Sequence, residues 1–138
     1  MLHDLAIPGS RANIDHVAVG PGGVFVIDSK RWKGYVWVDD AGHARRGGYS
    51  IQPALDTLWW ETAQVADALA DLPFPCPIRP LICLHRGSTP RNGVYADGIA
   101  IIPATLLRAL LRAQTPGLSL DQIGLVGQRL HQQLPAAS

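Results

Sequence analysis

Asn13-Ile14-Asp15-His16-Val17-Ala18-Val19-Gly20-Pro21-Gly22-Gly23-Val24-Phe25-Val26-Ile27-Asp28-Ser29-Lys30 holds two runs rich in Val, Ile and Phe around a Gly/Pro tetrapeptide. β-Branched and aromatic residues suit the pleated, half-buried surface of a strand, and clustered Gly and Pro end it. The stretch predicts strands over 14–20 and 24–30, joined as a hairpin. Pro21 followed by Gly22 at its centre suits a type II turn. If Gly20 pairs with Gly23, then Val19 faces Val24, Val17 faces Val26 and Asp15 faces Asp28. Side chains alternate along a strand, so Asp15, Asp28 and Lys30 share one face above a floor of valines. His16 points to the opposite face, which removes it as a general base for that cluster. A slip of one residue would separate the two aspartates.

That pairing has a cost. Directly opposed residues have Cβ atoms about 4.5–5.5 Å apart, and a favourable cross-strand pair contributes only about 0.2–1 kcal/mol. Two ionised carboxylates about 5 Å apart repel by roughly 3 kcal/mol at an effective dielectric near 20. A raised pKa on one acid, the Lys30 ammonium or a bound divalent cation could each offset the repulsion. Asp is depleted in strands, yet two sit at matched positions with a lysine two residues on. A metal-dependent phosphodiesterase requires this set: carboxylates to hold Mg²⁺ or Mn²⁺, and a lysine to position water or stabilise developing charge. Asp15, Asp28 and Lys30 are therefore the candidate catalytic residues, with Asp15 and Asp28 the metal ligands.

Beyond the hairpin, Tyr35 to Val38 reads as a third strand closed by Asp39-Asp40-Ala41-Gly42. A long helix is expected from Ala54 to Leu72, with Pro53 in its first turn. Leu55, Leu58, Trp59, Thr62, Val65, Ala66 and Leu69 recur at helical spacing, and Asp56, Glu61, Gln64, Asp67 and Asp71 mostly take the other sides. Pro73, Pro75, Pro77 and Pro80 delay regular structure until about Arg79. Strands are expected over 81–85 and 98–102, and helices over 104–113 and 120–134. The second of these helices opens on the capping box Ser119-Leu120-Asp121-Gln122. Residues 1–13 read as an irregular lead-in. The order β-β-β-α-β-β-α-α gives an α/β (α+β) chain, a central mixed sheet with flanking helices.

The 138 residues make one domain spanning the whole chain. The net charge of +1 gives no bulk electrostatic case for nucleic acid or membrane, so such a case rests on local clusters. Arg11, Arg31, Lys33, Arg45 and Arg46 could form a basic rim at the hairpin's end, holding phosphates without reading bases. Trp32, Trp37 and Trp59 read as core or interface residues, with Trp60 the exposed exception. Cys76 and Cys83 are too few for a disulfide framework and belong to no zinc pattern. No signal sequence is evident, and no apolar run reaches the ~18 residues of a membrane span. A soluble, cytoplasmic chain is expected.

Asn13 to Val17, Gly20 to Lys30, Trp32 and Gly34 resemble the nuclease-related domain (NERD), a family of the PD-(D/E)xK nuclease superfamily. The likeness is dense over residues 2–38 and thins to element order from Gln52 onward. It implies a restriction-endonuclease-like αβββαβ core. It makes Asp15 the first acid of the motif, and Asp28 and Lys30 its (D/E)-x-K part, with Asp where Glu is common. It implies Mg²⁺ (or Mn²⁺) as cofactor and DNA as partner, without membrane association. The family's first helix usually carries a Gly-Glu-Arg-like segment, and this sequence begins after that place. The expected core therefore lacks its first helix, and the sheet face so exposed would be covered by a partner or a second copy. A metal-dependent endonuclease follows as the first reading, and a catalytically degenerate module binding nucleic acid or protein as the second.

Overall fold

The computed structural model describes residues 2–6 and 13–134, with side chains from Ile14 onward. Ten strands and three helices follow in the order β1 (Leu2–Ala6), β2 (Asn13–Gly20), β3 (Gly23–Lys30), β4 (Gly34–Val38), β5 (Ala44–Arg46), β6 (Tyr49–Ser50), α1 (Gln52–Ala68), β7 (Ile78–Leu84), β8 (Gly87–Ser88), β9 (Val94–Ala96), β10 (Ile99–Pro103), a 3-10 turn (Ala104–Leu106), α2 (Leu107–Arg112) and α3 (Leu120–Gln133). A six-stranded sheet runs β1-β2-β3-β7-β10-β9, and a four-stranded one runs β6-β5-β4-β8. Both are mixed. β3, β7 and β10 run parallel, while β1, β2 and β9 pair antiparallel at the sides. The fold is mixed α/β, as the alternation of elements implied.

The hairpin takes the expected register: Gly20 pairs with Gly23, Val19 with Val24 and Val17 with Val26. Its turn is not type II. That turn needs a positive φ at its second central residue, but Gly22 has none and the positive φ, +114°, falls on Gly23. Tertiary contact dictates this. Pro77 carbonyl accepts the Val24 N–H at 2.8 Å, and Pro21 carbonyl accepts the Gly117 and Leu118 N–H groups at 2.6 and 2.9 Å. A Cβ on Gly23 would stand 2.5 Å from the Pro77 oxygen. Gly23→Ala therefore combines backbone strain with a clash against main chain. It is expected to cost roughly 2–4 kcal/mol in denaturant melts, where an exposed Gly→Ala change costs far less.

The large sheet has an apolar layer on each face. Val17, Val24, Val26, Ile82, Leu84, Ile99 and Ile101 pack with Leu55, Leu58 and Val65 of α1 and Val126 and Leu130 of α3. Ala18, Phe25, Ile27, Leu81, Cys83, Ala100 and Ile102 pack on the other side under Leu106, Leu107, Leu110 and Leu111. The capping box of α3 forms as read: Ser119 Oγ accepts the Gln122 N–H, and Gln122 Oε1 accepts the Ser119 N–H.

Several expectations need correction. Residues 2–6, read as irregular, form β1 on the edge beside β2. The long helix starts at Gln52 and ends at Ala68, short of Leu72. β7 begins at Ile78 and carries Pro80 inside it. A proline is tolerated there because β10 joins β7 only from Leu81, leaving Pro80 with β3 alone. The helix expected over 104–113 divides into the 3-10 turn and the short α2. Trp59 does not join the buried stripe of α1. It is 39 % exposed, donates its indole N–H to Asp97 carbonyl at 2.7 Å, and lies over Gly98. Among the described residues no helix is long and apolar enough to cross a membrane.

Candidate active site

The hairpin's open end lies near the middle of α1, on the face lined by the valines. The ladder between β2 and β3 ends at His16 opposite Ile27. Just beyond it, Asp15 Oδ2 accepts the backbone N–H of Ser29 at 3.3 Å, which ties β2 to β3 through a side chain. The same carboxylate reaches Asp28. Lys30 Nζ lies 3.1 Å from Asp28 Oδ2, with the two side chains 29 % and 14 % exposed. Asp15, Asp28 and Lys30 thus converge as the hairpin register implied.

A fourth residue belongs to the cluster. Glu61 of α1 is half-buried and feels the charges of Asp28, Asp15 and Lys30. Its place on the helix explains why. It follows the buried Leu58 by three residues and precedes the buried Val65 by four, so it lies beside the stripe docked on the sheet. The sequence reading set Glu61 among the outward polar residues. Its spacing from Leu58 and Val65 was the signal that could have placed it.

Three carboxylates share one ammonium here, and the acids show the imbalance. Burial raises the Asp28 carboxyl to about 6; Lys30 pulls it down and Asp15 pushes it up. The ion pair does not prevent the rise, because taking this carboxylate out of water costs more than Lys30 returns. Burial, then the charges of Asp28 and Asp15, raise Glu61 to about 7. Two of the ways of offsetting the Asp15–Asp28 repulsion are present in the side chains themselves: the raised Asp28 pKa and the Lys30 ammonium.

Lys30 is also held from its far side. Its Nζ is 5.4 Å from the centroid of the Trp32 ring, and the Arg46 guanidinium is 5.3 Å from the same ring. Cation–π attraction of this kind contributes about 0.5–1 kcal/mol at exposed sites. Trp32 is therefore a half-buried ring that attracts two cations as well as a residue packed on the core.

Among the described residues, Arg31, Lys33, Arg45 and Arg46 do not form a continuous rim. Arg11 lies outside the described residues. Arg45 donates to Asp39 Oδ2 at 2.8 Å and is neutralised there. That bond to Arg45, first among the causes, holds the Asp39 carboxyl below its usual range. Arg46 and the exposed Lys33 stay together beside Trp32, with an Arg46 N–H 3.4 Å from the Lys33 carbonyl. Arg31 instead lines a cavity on the opposite sheet face, with His16, Ser29, His85 and Arg86. His16 does point away from the acids, as alternation required.

Among the described residues, no three His, Cys, Asp or Glu side chains lie close enough together to hold a metal ion. The donor set still suits a hard cation. Mg²⁺ is usually held by one or two carboxylates plus substrate phosphate oxygens, and Asp15 and Asp28 supply two carboxylates. Cys83 is buried, and burial with Asp28 nearby pushes its thiol up to about 11, so it is neither nucleophile nor ligand.

Residues 1–85 match the nuclease-related domain, from β1 through the end of β7. The chain belongs to the NERD family. No curated protein and no solved structure matches it. The NERD match runs well past the dense likeness over 2–38 and takes in α1 and β7, so all four residues of the cluster lie inside it. β8–β10, α2 and α3 lie outside it, although β10 completes the sheet beside β7 and α3 packs in the same layer as α1.

Proposed function

We propose that the carboxylate face is a phosphodiesterase site and that this chain is a metal-dependent endonuclease domain acting on DNA. The observation that carries the reading is the convergence of Asp15, Asp28 and Lys30, with Glu61 near enough to feel their charges, within a NERD-matched stretch. Structural ion pairs seldom leave three acids to one base, since the surplus charge destabilises the fold. An incoming cation relieves that surplus.

Asp15 and Asp28 would hold the ion. When bound, a divalent cation supplies Lewis-acid stabilisation of a phosphate oxygen and lowers the pKa of a water bound to it. The chain's own groups do the rest. Asp15, fixed by the Ser29 N–H, presents its carboxylate in a set orientation. Lys30, held between Asp28 and Trp32, is placed to orient the attacking water or to donate to the phosphate as negative charge develops. Glu61, raised to about 7, is matched to accepting a proton from that water near neutral pH.

Calorimetric titration of Mg²⁺ and Mn²⁺ into wild type and Asp28→Ala tests the reading, followed by plasmid cleavage. Metal binding that disappears in the variant, with cleavage to match, is the expected result. A folded wild type that binds DNA but neither binds metal nor cleaves in its presence would instead establish the degenerate module. That no three His, Cys, Asp or Glu side chains gather closely enough among the described residues is the observation favouring that second reading.

A further inference from the structure

Behind the carboxylate face lies a second charged cluster of opposite sign. β3 and β7 run parallel to their ends, and the His85 N–H donates to the Lys30 carbonyl at 2.9 Å, so the chains stay paired beyond the strands. Gly34 and Gly87 continue the alignment. This brings Arg31 beside His85 and Arg86. Alternation puts Ser29 on the face away from Asp28 and Lys30, together with His16, and Arg31, just past the end of β3, lines the same cavity. The five side chains line a cavity of about 410 Å³.

Arg31 and Arg86 have no carboxylate partner among the described residues. Like charges held near each other repel, and no carboxylate of the described protein pairs with these two. The cavity offers two guanidinium forks, the His85 imidazole and a hydroxyl, with His16 at its wall and no acid in its lining. Guanidinium pairs with oxyanions bidentately and suits phosphate geometry. Two fixed positive charges match the dianion of a phosphomonoester better than the monoanion of a backbone diester. The volume exceeds one phosphate group and leaves room for an attached sugar.

We propose that this cavity binds a phosphomonoester, namely the terminal phosphate of a nucleic-acid strand. The choice of carrier rests on the nuclease reading; the phosphate chemistry rests on the cavity alone. A strand reaching across the ends of β3 and β7 would then meet Lys30 on one face and Arg31 on the other. The site would select strand ends over internal backbone.

The test is fluorescence anisotropy with internally labelled single strands bearing a 5′-phosphate, a 3′-phosphate or neither, in EDTA so that no metal contributes. A phosphorylated strand is expected to bind about tenfold tighter than the bare one, the effect of one charge-assisted contact set. Arg86→Gln and Arg31→Gln should each remove that preference; both residues are exposed, and a melting curve confirms folding. Inorganic phosphate should compete. Equal affinity for all three strands, with no competition by phosphate, overturns the proposal. Competition by phosphate without any preference among the strands overturns the strand-end carrier and leaves a free-phosphate site. The nuclease reading is judged separately: Asp28→Asn should abolish cleavage yet keep the preference for phosphorylated strands.

Discussion

Lys30→Ala is expected to lower metal-dependent DNA cleavage by about 10²–10³-fold while the domain stays folded, the usual loss when one preorganised charge-stabilising donor is removed. The Lys30 side chain is 29 % exposed, and its ion pair with Asp28 at 3.1 Å is the chief contact broken. Such a partly solvated pair contributes about 0–1 kcal/mol, so the melting temperature should move by only a few degrees. The substitution has a second signature. Lys30 is what pulls Asp28 down from the still higher value burial alone would give. Without it, Asp28 ionises at higher pH, and metal binding should require more alkaline conditions. The residual rate should then rise with pH over a range where wild type has levelled off. Cleavage at the wild-type rate by the folded variant would remove Lys30 from the mechanism.

The hairpin half of this site was legible in the sequence because its determinants are local. Gly20-Pro21-Gly22-Gly23 fixes where the chain turns, period-two alternation fixes the faces, and the register carries Asp15 to Asp28. What was not legible is what distant packing decides. The spacing of Glu61 from Leu58 and Val65 puts it beside the stripe by which α1 docks, but no local rule says how that stripe sits on the sheet and so brings Glu61 near the acids. The basic rim failed for a similar reason. Arg45 looked like its neighbours in sequence, but β5 folds back on β4 and delivers it to Asp39. The short strands were hidden by length: β5, β6, β8 and β9 span three, two, two and three residues, too few for periodicity to register. One of them did carry a local signal. Asp97-Gly98, both at positive φ, is the preferred type I′ hairpin pair, and it joins β9 to β10. Pro80 misled in the other direction, since a proline argues against a central strand unless one neighbour is missing at that point.

Glu61→Gln is expected to stabilise the metal-free domain at pH 8 and to leave it unchanged near pH 4. The sign follows from linkage. Glu61 titrates at about 7 in the fold, above its unfolded value, because burial and the neighbouring acids disfavour its charge. The folded state therefore holds the proton more tightly, and stability falls as pH rises between the two values. The contribution is complete below the unfolded pKa and lost once pH passes about 7. Asp28, raised to about 6, loses its contribution over a slightly lower window. Glutamine keeps the shape without the charge. Allowing for solvent screening of a half-buried group, the gain at pH 8 is about 1–3 kcal/mol, or several degrees in a thermal melt. Asp28→Asn should gain less, because it leaves the Lys30 ammonium without its partner. Mg²⁺ or Mn²⁺ at pH 8 should raise the melting temperature of wild type more than that of either variant, since an ion bound only by the folded state relieves the same repulsion. A Glu61→Gln protein equally destabilised at pH 4 and pH 8 would mean that the glutamate is a structural ligand of the fold, and that the surplus charge lies elsewhere. The expected pattern ties the two halves of the argument together: charge that weakens the empty domain above pH 7 is the charge that would draw a cation to it.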